Sequence, residues 1–205
     1  MTTDISNIEA STRKVVRTLF SFLDAQGQGD YMGEAVSQLQ HSLQAAALAV
    51  EHNADEPTVL AALLHDVGRF IPEAASLPKL IAPDGSAFGT EEHEKVGEQY
   101  LQRLGFPPAV YEVVGAHVWA KRYLCATEPE YWASLSKLSK VTLELQGGTF
   151  TPSEAEAARS DPLLESKLNV RRWDDLAKEA GKVVPGLDAY EDMAVRILEE
   201  ARANQ

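Results

Sequence analysis

The chain has 205 residues, of which 44% are apolar and 24% are charged, and its net charge is −12 at pH 7. This length suits a single domain, residues 1–205, with a full hydrophobic core. The negative charge argues against nucleic acid or an anionic membrane as partner, because both need a basic face, and no apolar run approaches the roughly 20 residues of a membrane span. Cys125 is the single cysteine, and Met1-Thr2-Thr3-Asp4-Ile5 does not resemble a signal peptide, so we expect a cytoplasmic protein.

Apolar residues recur with a helical period of 3.6 along nearly the whole chain, and no strand pattern of useful length is present. We therefore predict an all-α fold. The predicted helices are, in chain order, 1–25, about 33–51, 57–67, 90–104, 108–124, 131–146, a short helix from 152 and a last region from 162. The segment 71–90 is rich in proline and glycine, and we expect a long irregular loop there that covers a site or is disordered.

Four of the five histidines fall on inward-facing stripes of four different predicted helices. They are His41, His65, His93 and His117. Asp66 follows His65 at the end of an apolar run, and burying this pair is costly unless a cation compensates. Each histidine taken singly is most simply a hydrogen-bonded core residue, but four with an adjacent carboxylate favour a metal site. The fifth, His52, has the position of a surface residue at a helix C-terminus.

Lys121 shares an apolar stripe with His117, four residues earlier. A buried ammonium needs an anion, so this position predicts either an anionic ligand or a side chain that extends its charge to the surface. Further along the chain, Arg171 and Asp174 stand three residues apart on one helical face. Asp174 would bring the candidate ligands to six nitrogen and oxygen donors without thiolate, which suits iron or manganese and is more than one ion usually takes from protein. The simplest arrangement is a pair of metal ions that share Asp66 as a bridging ligand.

The order His41, His65-Asp66, His93, His117, Asp174 resembles the HD-domain superfamily, a family of metal-binding helical bundles. Within it, the chain is most similar to the mixed-valent diiron oxygenases that cleave carbon–phosphorus bonds. The stretches that carry this resemblance are 30–35, 41–44, 63–68, 93–97, 115–124, 142–148 and 171–174. The spacings Tyr31/Glu34/His41 and His117/Lys121 are its specific part.

The resemblance implies two iron ions, Fe(II) and Fe(III), with O2 as co-substrate. It places His41, His65, Asp66 and Asp174 on one iron, and Asp66, His93 and His117 on the other. Tyr31 would cap the second iron at rest, and Glu34 would contact the hydroxyl or cationic end of the substrate. Lys121, Ser139, Thr142 and Arg171 would hold a phosphonate. Asp175 is an alternative to Asp174 as ligand.

The implied substrate is a small organophosphonate, either 2-amino-1-hydroxyethylphosphonate or its N-trimethylated analogue, cleaved to phosphate and to glycine or glycine betaine. Arg69 stands where the 2-amino type has a histidine, so we count it among the candidate substrate-binding residues. A cage for a trimethylammonium group could form from five aromatic residues near the site: Phe70, Phe88, Trp119, Tyr123 and Trp132. Core packing is the alternative role for these rings.

Three other functions remain open. The first is an HD-type phosphohydrolase, in which a metal activates water to attack a phosphate ester. Tyr31 and Glu34 have no evident role in that reaction. The second is a metal-binding module without catalytic activity, and the third is a diiron oxygenase of the inositol type, which would not need Lys121 together with Arg171. The sequence does not indicate the oligomeric state or the substitution of the amine.

Overall fold

The computed structural model describes residues 2–31, 35–81, 85 and 87–204, without the side chains of 2–8 and 87–89. Within these ranges the protein is mostly helical, with two short strands, which confirms the predicted all-α fold. The helices are α1 (Thr2–Gln26), α2 (Gln38–Glu51), α3 (Glu56–Leu64), α4 (His93–Leu104), α5 (Pro108–Val114), α6 (His117–Thr127), α7 (Pro129–Ser134), α8 (Lys137–Leu145), α9 (Pro152–Ala158), α10 (Leu164–Leu176) and α11 (Asp188–Ala203). None of them has the length and apolar character of a membrane-spanning helix.

Helix α3 is the centre of the fold. Asp55 caps its N-terminus by accepting a hydrogen bond from Thr58 N at 2.9 Å, and Pro57 occupies the first turn. Every residue from Thr58 to Leu64 is buried. A helix that is apolar on all sides belongs inside a protein, and α3 packs against α2, α5, α10 and α11. Its C-terminal end therefore delivers His65 and Asp66 to the interior.

Helix α2 begins later than predicted. The apolar pattern suggested a start near residue 33, whereas the helix starts at Gln38, after Ser37. The hydroxyl of Ser37 accepts a hydrogen bond from Gln40 N at 3.1 Å, which supplies a local N-cap that stops the helix from extending backwards. Before the helix, Tyr31 N donates to Val36 O at 2.9 Å, and Asp30 pairs with Ser37 in an isolated antiparallel bridge.

Two helices predicted as continuous are each divided in the structure. The segment 108–124 consists of α5 and α6, separated by Gly115-Ala116, and 131–146 consists of α7 and α8, separated by Leu135-Ser136. At the first break the side chain of Glu98 packs onto Gly115 so closely that a Cβ there would lie 2.3 Å from its Oε2. At the second, Ser136 caps α8 by accepting from Ser139 N at 3.1 Å.

The segment 71–90 is more ordered than the predicted irregular loop. It contains a 3₁₀ helix, Pro72–Ser76, and two strands, β1 (Lys79–Ile81) and β2 (Ala87–Thr90), which pair antiparallel with Lys79 opposite Thr90. These short strands were not predicted, because three or four residues do not show a period of two. The hairpin leads directly into α4, which starts with His93.

The main hydrophobic core lies between α2, α3, α5, α10 and the pair formed by α1 and α11. A second, smaller apolar cluster joins α6, α9 and α10. The candidate metal-binding residues are carried by helices whose apolar residues belong to one or the other of these clusters.

Candidate metal centre

Four buried histidines and Asp66 converge inside the protein in two adjacent groups. The first group is His41, His65 and Asp66, and the second is Asp66, His93 and His117. In each group the potential ligand atoms lie within 4.8 Å of one another. The four imidazoles come from four elements: the first turn of α2, the C-terminal end of α3, and the first residues of α4 and α6.

Asp66 belongs to both groups because its two carboxylate oxygens face different histidines. Oδ2 lies 3.8 Å from His65 Nε2, whereas Oδ1 lies 3.1 Å from His93 Nε2 and 3.8 Å from His117 Nε2. Burial opposes ionisation of this carboxyl group, but Arg69 and the neighbouring imidazoles hold its pKa well below the usual value. An ionised carboxylate in this position can bridge two cations.

The histidines are oriented by hydrogen bonds on their outer nitrogens. Each Nδ1 lies within hydrogen-bonding distance of a backbone carbonyl. The partners are Ala177 O for His41 (2.8 Å), Ala62 O for His65 (2.8 Å), Thr90 O for His93 (3.1 Å) and Val114 O for His117 (3.2 Å). Because a carbonyl only accepts, Nδ1 carries the proton and each Nε2 presents a lone pair to the interior.

The inward nitrogens are close together. His41 Nε2 and His65 Nε2 are 3.0 Å apart, and so are His93 Nε2 and His117 Nε2. Burial lowers the pKa of His65 and, more strongly, that of His117, so both imidazoles are kept neutral. Pairs of neutral imidazoles with facing lone pairs repel one another, and a metal cation relieves that repulsion. The donor set therefore fits two metal ions.

Asp174 joins the first group, whereas Asp175 does not. Asp174 Oδ1 lies 3.2 Å from His41 Nε2 and 3.8 Å from His65 Nε2. Its other oxygen accepts from Arg171 Nη1 at 2.6 Å. Burial acts against ionisation here also, but Arg171 and the histidines hold the pKa of Asp174 well below its usual range. Asp175 is bonded instead to Arg171 and Tyr131.

Tyr31 lies on the side of the first group. Its ring stacks on His41 with 3.7 Å between ring centroids, and its hydroxyl donates to Asp174 Oδ1 at 3.2 Å. Burial, followed by the charges of Asp174 and Asp66, raises the pKa of Tyr31 well above its usual value. The sequence resemblance placed Tyr31 on the other ion, so its role as a ligand stays a prediction. Glu34 lies outside the described residues.

A polar cavity opens beside the two groups. It is lined by Asp66, His93, His117 and Asp174 from the centre and by Lys121, Ser139, Thr142, Gln146 and Arg171 from the surrounding helices. The Lys121 ammonium donates to Thr142 Oγ1 at 3.1 Å and to Gln146 Oε1. Both partners are neutral, and burial, with Arg171 nearby, lowers the pKa of Lys121 to about 7. A buried ammonium whose hydrogen-bond partners are neutral is suited to binding an anion.

Arg69 also lines this cavity and lies against the second group. Its Nε donates to Asp66 Oδ1 at 2.9 Å, and its Nη2 lies 3.2 Å from His93 Nε2. The guanidinium thus contacts the candidate ligands directly. Whether it also touches a substrate stays a prediction.

Among the described residues, the aromatic side chains that could form a cage do not meet at the cavity, and most of them have the alternative role of packing. Trp119 and Tyr123 stack on each other at 5.9 Å and pack against Phe150 in the smaller apolar cluster. Phe70 belongs to the main core, and Trp132 is 47% exposed beneath the ammonium of Lys140. The side chain of Phe88 lies outside the described residues. Of the aromatic residues that the structure describes, Tyr31 alone lines the cavity.

The sequence did not single out Gln146, which lines the cavity, or Tyr131, which contacts Arg171 and Asp175. Gln146 follows Thr142 by four residues, so the helical period that marked Ser139 and Thr142 could have indicated it as well. Tyr131 carries no comparable signal, because its contacts are with residues 40 and 44 positions away.

The profile of the HD domain matches residues 39–174. This chain belongs to the HD-domain family. The match includes every histidine and aspartate of the two groups, from His41 to Asp174, so the HD domain and the buried donor set coincide.

Three relatives match this HD-domain protein over most of its length. Hydroxymethylphosphonate dioxygenase of Gimesia maris is 37% identical over 199 residues, which cover 97% of this chain and 95% of that protein. The glycine-betaine-forming [1-hydroxy-2-(trimethylamino)ethyl]phosphonate dioxygenase of Leisingera caerulea is 33% identical, with 96% of each chain covered. Protein L432 of Acanthamoeba polyphaga mimivirus, which is uncharacterized, is 35% identical over 92% of this chain and 84% of its own. The resemblance to phosphonate-cleaving HD oxygenases is thereby confirmed.

Proposed function

We propose that this HD-domain protein is a metal-dependent dioxygenase that cleaves the carbon–phosphorus bond of a small 1-hydroxyphosphonate. The observation that carries the proposal is the position of Lys121. A buried ammonium with neutral partners lines the same cavity as two histidine–carboxylate groups that share Asp66. An anionic substrate held by Lys121 would therefore lie beside both ions. The names of two full-length relatives support the same reaction.

The proposed metal is iron, with two ions in the Fe(II)/Fe(III) state. His41, His65, Asp66 and Asp174 would hold one ion, and Asp66, His93 and His117 the other. The ions would supply the one-electron chemistry that O2 requires. Nitrogen and oxygen donors without thiolate are compatible with this assignment, and the carbonyls behind each Nδ1 fix the imidazoles in the ligating orientation.

The protein's own residues would bind and orient the substrate. In the overall reaction a hydroxyphosphonate dianion and O2 give a carboxylate, hydrogen phosphate and one proton. The C–P, C1–H and O–O bonds are broken, and one new C–O bond and one new P–O bond are formed, so that O2 is the oxidant of C1. Lys121, Ser139, Thr142 and Arg171 would hold the phosphonate oxygens, which fixes the adjacent C1 next to the ions. Holding the reacting carbon in one place raises the rate, because the reacting groups are already oriented when the reaction begins.

The tail of the substrate distinguishes three candidates: hydroxymethylphosphonate, 2-amino-1-hydroxyethylphosphonate and the trimethylammonio analogue. Their carboxylate products would be formate, glycine and glycine betaine. The test is to follow O2 consumption and phosphate release by the iron-loaded protein with all three compounds side by side. We expect at least one of them to be turned over. Release of phosphate from nucleotides without O2 consumption would support a phosphohydrolase instead.

A further inference from the structure

The guanidinium of Arg171 is fixed by two residues that do not reach the metal groups. Its Nε donates to the hydroxyl of Tyr131 at 2.9 Å and to Asp175 Oδ2 at 3.1 Å, and its Nη2 donates to Asp175 Oδ1. The Tyr131 hydroxyl in turn donates to Asp175 Oδ2. Together with Asp174, which accepts from Nη1 at 2.6 Å, these contacts hold all three nitrogens of the guanidinium.

The arrangement leaves donors for a ligand. A guanidinium has five N–H groups in a planar fork. Here the Nε hydrogen is shared by Tyr131 and Asp175, and one hydrogen on each terminal nitrogen is taken by Asp175 or Asp174. One N–H remains on Nη1 and one on Nη2. N–H donors on a planar guanidinium match the oxygens of a phosphonate or phosphate group.

Tyr131 is well placed to act as a donor in this network. Burial raises the pKa of its hydroxyl far above neutrality, so the proton is retained and points to Asp175. Tyr131 belongs to α7, whereas Arg171 and Asp175 belong to α10. The hydroxyl therefore links α7 to the helix that carries the arginine.

We propose that Tyr131 and Asp175 are positioning residues that hold Arg171 with its two remaining N–H groups toward the phosphonate. This inference rests on the proposed function. An arginine side chain left to rotate would have to be ordered when substrate binds, and the fixed guanidinium avoids that loss of affinity.

The test is Tyr131→Phe, with Tyr190→Phe as a matched control that removes the hydroxyl of a buried tyrosine in the main core. We expect Tyr131→Phe to raise KM for the hydroxyphosphonate about three- to tenfold, with kcat within about twofold and iron content unchanged. Calorimetry with inorganic phosphate and the iron-loaded protein should show the same factor in Kd. The control should change neither constant.

The double variant Tyr131→Phe with Arg171→Lys separates positioning from a general structural effect. Lysine keeps the charge but lacks Nε and the fork, so Tyr131→Phe should add no further loss in that background. An equal loss in both backgrounds, an unchanged KM and phosphate Kd in the single variant, or loss of iron from it would each overturn the inference. If no hydroxyphosphonate were turned over, the proposed function would fail, and the phosphate affinities would still decide whether Tyr131 acts through Arg171.

Discussion

Lys121 is the residue whose charge the proposed anion site depends on most. Burial, with Arg171 nearby, lowers its pKa to about 7, while Asp174 and Asp175 act in the opposite direction. A lysine with a lowered pKa is charged below that pKa and neutral above it. The positive charge available to a phosphonate should therefore decrease as the pH rises through neutrality.

The resulting prediction concerns the pH dependence of kcat/KM, which reports ionisations of the free enzyme. Above pH 7 we expect kcat/KM of the native protein to fall by up to about tenfold per pH unit. Lys121→Arg should remove that fall, because arginine stays charged over the whole range. The substrate's own ionisation is common to both proteins and cancels in the comparison. Identical profiles for the two would contradict the role assigned to Lys121.

For individual residues, the sequence could indicate which residue types come together, but not which contacts orient them. The histidines stood on apolar stripes, and a buried imidazole beside a carboxylate is a strong chemical signal. The choice between Asp174 and Asp175 was open, because adjacent residues on a helix differ only in direction. The contacts of Asp174 with two histidines and of Asp175 with Tyr131 separate the two. Their roles as ligand and positioning residue remain predictions.

His93 is positioned by a contact between two secondary-structure elements. These are the 3₁₀ turn Val67–Arg69 and helix α4. A Cβ on Gly68 would lie 1.9 Å from His93 O and 2.9 Å from Gly97 N. These are backbone atoms, and they cannot move aside far enough to relieve contacts this short. The glycine is therefore needed for close approach of the turn that follows Asp66 to the first turn of α4.

We predict that Gly68→Ala displaces the start of α4 and weakens the second metal group, so that the purified protein retains about half of its iron. Gly97→Ala is the matched control. A Cβ there meets Gly68 N and Val67 Cγ1 at 3.1 Å, a tight distance that small shifts can relieve. Metal analysis of both variants checks the prediction. Full iron content in Gly68→Ala would show that α4 is not fixed by this contact.

Helices could be predicted from the sequence because the apolar period of 3.6 is strong, whereas their breaks could not. Across Gly115-Ala116 the apolar positions continue in phase, so the pattern hides the division into α5 and α6. The break depends on the Glu98 side chain, which packs onto Gly115 from another helix. Contacts of that kind are tertiary, and no local pattern records them.

For the whole molecule, the candidate metal centre acts as a crosslink. Its imidazoles come from α2, α3, α4 and α6, so bound ions would tie together helices from both apolar clusters. Ions that bind the folded state alone stabilise it by mass action, about 2.7 kcal/mol at 100 times the Kd.

We therefore expect removal of metal by a chelator to lower the Tm by roughly 5–10 °C for a chain of this size. Calorimetry of the metal-free protein, and again after addition of Fe(II), measures this. Restoration by Fe(II) is the expected result. An unchanged Tm with and without iron would indicate that the histidines are core residues rather than ligands.

The central claim, an oxygenase rather than a hydrolase, is tested most directly by measuring phosphate released from the preferred hydroxyphosphonate with and without O2. We predict one phosphate formed for each O2 consumed, and no phosphate from the anaerobic sample. Equal phosphate release in the absence of O2 would contradict the proposed function.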